Sequence, residues 1–170
     1  MTGSDTPPGL RPFAAMISEA KAGNINVRMD LEQFVYLDRD CEAMLKRITA
    51  VQTIMDQVSQ AQHWGLGEDY RSSDGKVLIS GQKVVEWFKT KSKDPSDCES
   101  NTASNSVWAV MESHRLAVED IRTTYREIRK RITDSDTEAA ARYKHLEETL
   151  PPQPTVKPPE FHAVNLPPQK

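Results

Sequence analysis

Cysteine, glycine and aromatic side chains are all scarce in this chain. The two cysteines, Cys41 and Cys98, show no metal-type spacing, which excludes a zinc ribbon or a disulfide-built scaffold. Cys41 falls on an apolar helical stripe, where a thiol packs as a small hydrophobe. Cys98 lies in a polar stretch, and spacing alone does not fix whether the two are bridged. The seven glycines form no phosphate-cradling loop, and neither a nucleophile elbow nor a His-Glu-x-x-His pair occurs. No stretch reaches the roughly eighteen consecutive apolar residues of a membrane-crossing helix. A net charge of −3 supplies no chain-wide positive excess for nucleic acid or an anionic membrane. Residues 1–12 lack a basic segment followed by an apolar one, so they do not read as a Sec-type signal peptide.

Catalytic groupings are missing too. His63, His114, His145 and His162 are scattered, and apart from chance neighbours such as His145 and Glu148 none has a second His, Cys or paired acid at ligand spacing on its helix face. The expectation is a non-enzymatic protein with no cofactor, no metal and no nucleic-acid partner. His114 sits on an apolar stripe and reads as a hydrogen-bonded core or interface histidine.

What the chain does have is helical periodicity. Hydrophobic residues make up 37% and charged residues 28%, a balance that suits long, thin helices better than a thick globule. Residues 1–12 read as a disordered leader. Phe13–Ala22 has short helical character, stopped by Gly23-Asn24. Asp30 and Gln33 form a capping box. Phe34, Leu37, Cys41, Met44, Ile48, Val51, Met55 and Val58 then follow at alternating steps of three and four. A helix over 30–62 would be roughly 48 Å long.

That pattern ends at His63-Trp64-Gly65-Leu66-Gly67. Gly65 or Gly67 can take positive φ and reverse the chain, while Trp64 covers apolar area and needs one partner for its indole N–H. A shorter helix is expected over 76–91, with Gly81 allowing close approach to a neighbour, and then a polar loop over 89–105. The second stripe comprises Val107, Met111, His114, Val118, Ile121, Tyr125, Ile128 and Ile132, and the spacing resumes through Ala139, Tyr143, Leu146 and Leu150. Ser135 and Glu138 offer a fresh capping box, but with no Gly or Pro between 107 and 150 a continuous helix is expected. Arg122, Arg126, Arg129, Lys130 and Arg131 interleave with Glu119, Asp120 and Glu127, the pattern of a solvated, ion-paired face. Proline recurs through 151–170, which reads as a polyproline-type or disordered tail.

Each stripe gains by pairing, since burying one large apolar side chain contributes about 1.5–3 kcal/mol. The expected fold class is therefore all-α. A long antiparallel helical hairpin spans 13–150, with the shorter third helix packed against it and disordered tails outside. A two-helix hairpin leaves one side open, to be covered by the middle helix or by a second chain.

The helix ending at Trp64-Gly65-Leu66-Gly67, the second helix through Tyr125 and 133–140, and Tyr143-x-x-x-Glu147 before the tail together resemble the Trp-X-Gly-like (ESX) superfamily of type VII secretion proteins. Leu66 stands between the glycines, so the strict motif is not kept, and the 68–105 insert exceeds a simple turn. The resemblance implies a hairpin that pairs with another helical chain or with itself. It assigns Trp64, Gly65 and Gly67 to the turn and Tyr143 and Glu147 to an export signal. It also implies synthesis in the cytoplasm and export by a type VII route. The alternative is a cytoplasmic adaptor or chaperone for another helical protein.

Overall fold

The structure, a computed structural model, describes residues 11, 13–25, 27–73, 75–97 and 104–152. The expected leader, apart from Arg11, lies outside these residues, as do Cys98 and the tail beyond Pro152. Among the described residues the fold is all-helical, with α1 (Ala14–Ala22), α2 (Leu31–Gln60), α3 (Ile79–Ser92), α4 (Val107–Ser135) and α5 (Thr137–Thr149). Among the same described residues, the one extended feature is an isolated antiparallel bridge between Arg71 and Val77.

Local chemistry sets the helix ends. Gly23 closes α1 at φ 82°, its N–H donating to Ala20 O and the next N–H, of Asn24, to Glu19 O. A left-handed residue is what this double closure requires, and glycine meets it without a Cβ clash. At the start of α2 the backbone N–H of Asp30 donates to the Gln33 side chain at 2.9 Å, half of the expected capping box. Ser106 caps α4 by accepting from Ala109 N–H.

The expected continuous second helix is corrected. It breaks at Asp136, whose backbone is extended (φ −142°, ψ 111°) and whose carboxylate accepts from Glu138 N–H at 2.9 Å and Ala139 N–H at 3.2 Å. Asp136 thus takes the capping position, while the Ser135 hydroxyl donates back to Ile132 O. A strong N-cap starts a new helix without any proline or glycine.

The described residues form two compact units, one of the residues up to Thr49 with those from Glu112 onward, the other of Ala50–Met111. In the first unit Ala20, Phe34, Val35, Ile128 and Tyr143 form a buried cluster, with Ile25, Val27, Leu31, Tyr125, Ile132 and Leu146 packed around it. Phe34 meets Tyr125 edge-on at 6.3 Å. In the second unit α3 lays Gly81 directly on the Leu66–Glu68 backbone. A Cβ there would stand 2.9 Å from Gly67 C and Leu66 O, so glycine is what permits the contact.

Candidate interaction surfaces

In the first unit, two arginines of α4 converge on one carboxylate of α2. Arg122 donates to both Asp38 oxygens at 3.0 Å, and Arg126 does so at 2.5 and 2.9 Å. Burial alone would raise the Asp38 carboxyl. The bonds and charges of the two guanidinium groups outweigh it and hold Asp38 well below the usual carboxylate range. The basic band is therefore ion-paired inward at these two positions. Arg115 forks onto Glu112 and also reaches Glu119. Asp120, fully buried, takes Arg11 at 2.5 Å and the Phe13 N–H at 3.3 Å.

Beside the Asp38 cluster, α2 and α4 leave an open apolar groove of about 450 Å³. Leu37, Cys41, Met44, Val118 and Ile121 line it, with Asp40 among its polar edge groups. All five apolar residues belong to the two stripes read from the sequence. Cys41 is a free thiol, its pKa raised by burial and by the nearby Asp38 charge. The groove is thus an apolar trough with a polar rim.

Tyr143 and Glu147 lie at different depths. Tyr143 is buried in the first unit's core, with Arg129 over its ring at 4.5 Å and Arg129 Nη1 donating to its hydroxyl at 2.6 Å. Glu147 is exposed, and its carbonyl, with those of Leu150 and Pro151, accepts from Arg39. Two arginines thus fasten α5, one at its middle and one at its end.

In the second unit the Trp64 turn is built around Glu68. This carboxylate accepts from the backbone N–H groups of Trp64, Gly65 (3.1 Å) and Leu66 (2.8 Å). The Trp64 bond leads the effects that hold the Glu68 carboxyl below its ordinary pKa. Gly65 and Gly67 both take positive φ, 69° and 84°. Trp64 stacks on Phe88 at 5.8 Å, and its indole N–H donates to Ala61 O at 3.1 Å. Asp97 and Ser106, both buried, bond to each other and tie the end of the α3–α4 connection together. A wider groove of about 870 Å³ in this unit is polar, and its Lys93 is already paired with Asp56 at 2.5 Å.

The two expected seams are unevenly buried. On α2, Phe34, Cys41 and Ile48 are buried, Leu37, Val51, Met55 and Val58 half-buried, and Met44 exposed. On α4, Val118 and Ile128 are buried, Met111, Ile121, Tyr125 and Ile132 half-buried, and Val107 and His114 exposed. His114 is thus not a core histidine. The most deeply buried row of α4 is instead Ala109, Glu112, Leu116, Asp120, Thr124 and Ile128. Apolar spacing gives no signal for its acids and its threonine, because polar side chains are buried there with partners: a neighbour on the same helix for Glu112 and Thr124, and the distant Arg11 for Asp120. Thr124 donates to Asp120 O, and Glu112 and Asp120 take arginines. Asp38 and Arg39 carry no such signal because their partners lie far along the chain, and Glu68 because it bonds backbone N–H groups. Comparison with protein-family models, curated proteins and solved structures finds no match.

Proposed function

We propose that this chain is a non-enzymatic helical protein that works by binding a second helical chain along the α2–α4 groove. In this proposal it is a substrate or associated partner of a type VII (ESX-like) export route. The observation that carries the binding role is the groove: side chains from both stripes line it and leave it open. An amphipathic helix laid there would bury Met44, now exposed, together with the half-buried Leu37 and Ile121.

The antiparallel hairpin is supported within the first unit by its contacts. Phe34 meets Tyr125, Asp38 meets Arg122 and Arg126, and Cys41 shares the groove with Val118. Partner numbers on α4 fall as those on α2 rise. The turn role of Trp64, Gly65 and Gly67 is supported by the two positive φ values and the Glu68 clamp.

The export role rests on the resemblance and on Tyr143-x-x-x-Glu147. Because Tyr143 is buried, recognition of its side chain requires α5 to lift away from Arg129 and Arg39. Deleting residues 143–170 in the native host, with export followed in the culture fluid, tests this. Loss of export is the expected result, and unchanged export removes the signal assignment. The buried tyrosine also favours a second reading, a cytoplasmic adaptor in which Tyr143 serves packing alone. A stable stoichiometric partner with no extracellular pool would select it.

A further inference from the structure

The groove leaves α3 unexplained. Gly81 and Val85 face inward and are buried. On the opposite side, Ile79, Lys83 and Trp87 follow one another four residues apart, about one helical turn each, and Lys91, half-buried and bonded to Asn105, continues the row at its flank. Ile79 is 61% exposed and Trp87 57%, with Val84 beside them at 43%. Turning a tryptophan and an isoleucine outward costs hydration free energy that a solvated face avoids. Sign of charge singles out α3 as well. The chain carries net −3, yet α3 has Lys83, Lys89 and Lys91 against the lone Glu86. Of these, Lys83 and Lys91 flank the apolar residues of the outer face, while Lys89 and Glu86 line the polar groove.

We propose that the outer face of α3 docks on an anionic lipid surface, with Trp87 and Ile79 entering the headgroup boundary and Lys83 and Lys91 at its rim. Indole rings favour that boundary because one part is apolar and the N–H is polar. Lysine stems lie along apolar surface while the ammonium groups stay among the headgroups. The helix lies flat on the surface in this proposal, since none among the described residues is long and apolar enough to cross a membrane. This surface is separate from the helix-binding groove and goes beyond the function proposed above.

The full-length chain should cosediment with phosphatidylcholine vesicles containing phosphatidylglycerol and not with phosphatidylcholine alone, and added salt should weaken the binding. Near such a surface each lysine contributes about fivefold in affinity, so Lys83→Gln with Lys91→Gln should cost about thirtyfold. Trp87→Ser should weaken binding and leave the helical circular dichroism unchanged. Equal binding to both vesicle types, indifference to the two lysines, or no binding at all would overturn the proposal. So would concentration-dependent self-association that Trp87→Ser abolishes without any vesicle binding, because the face would then be a contact between copies. Met44→Asp, placed in the groove, should leave vesicle binding intact, which separates this test from that of the groove.

Discussion

The two units differ in how they treat their surfaces. The first pairs its buried and half-buried carboxylates with arginines: Asp120 with Arg11, Glu112 with Arg115, and Asp38 between two arginines. Among its described large hydrophobics only Met16 and Met44 are substantially exposed. The second turns Leu66, Tyr70, Leu78, Ile79, Val84, Trp87 and Phe88 outward. Buried ion pairs contribute little net stability over apolar packing, but they fix which residues face which. Exposed apolar groups contribute little to a folded unit and favour contact with something outside it. The first unit thus holds its register through ion pairs, and the second leaves more apolar groups on its surface.

The contrast is broken most sharply at Phe34. Phe34→Ala should cost about 4 kcal/mol through lost burial and the cavity left behind, read as a lower urea midpoint. A loss under about 1 kcal/mol would mean that the first unit's cluster is not a working core.

Asp38→Asn should cost about 2 kcal/mol at neutral pH, since it removes charge-assisted bonds to two arginines. Its pH dependence has a definite sign. The folded carboxyl titrates below its unfolded value of about 3.9, so the stabilisation is complete above that value. It is lost only as pH falls from there toward the lower folded pKa. Acid titration of stability should therefore be shallower in the variant below about pH 4. Parallel curves would remove the ion-pair account.

In the second unit Gly81→Ala sets two effects against each other. Alanine gains up to about 1 kcal/mol in helix propensity, but its Cβ meets backbone at 2.9 Å. Overpacking against rigid backbone costs about 1–3 kcal/mol, so a net loss of about 1 kcal/mol should appear in thermal unfolding. A gain in stability would show that α3 does not rest on the Trp64 turn. The smallest effect belongs to Ile79→Ser, which should shift stability by less than about 0.5 kcal/mol. A larger loss would mean that the outward face of α3 supports the fold rather than facing a partner.

These elements also show what the sequence made legible. The all-helical class, the Gly23 stop, the end of α2 before Trp64 and the close approach at Gly81 were readable, because each rests on periodicity or on one residue's backbone freedom. The α2 stripe was readable because apolar residues do line its inner side at Phe34, Cys41 and Ile48. On α4 apolar spacing pointed to His114 and Val107, while burial selects Glu112, Asp120 and Thr124. Polar residues are hidden from such a search until their partners are known, and Arg11 lies far from Asp120 in sequence. The sequence offers a capping box at Ser135 and Glu138, but the cap that forms is the Asp136 carboxylate, which ends a helical run without any breaker residue.

The central claim is that the α2–α4 groove receives a second helical chain. It is tested most directly by the solution mass of the protein recovered from its host, wild type beside Met44→Asp, in sedimentation equilibrium. The account predicts a stoichiometric complex for the wild type, which the buried charge of the variant dissociates while its helical circular dichroism is kept. A wild-type mass equal to a single chain across the concentration range, or a complex indifferent to Met44→Asp, would contradict it.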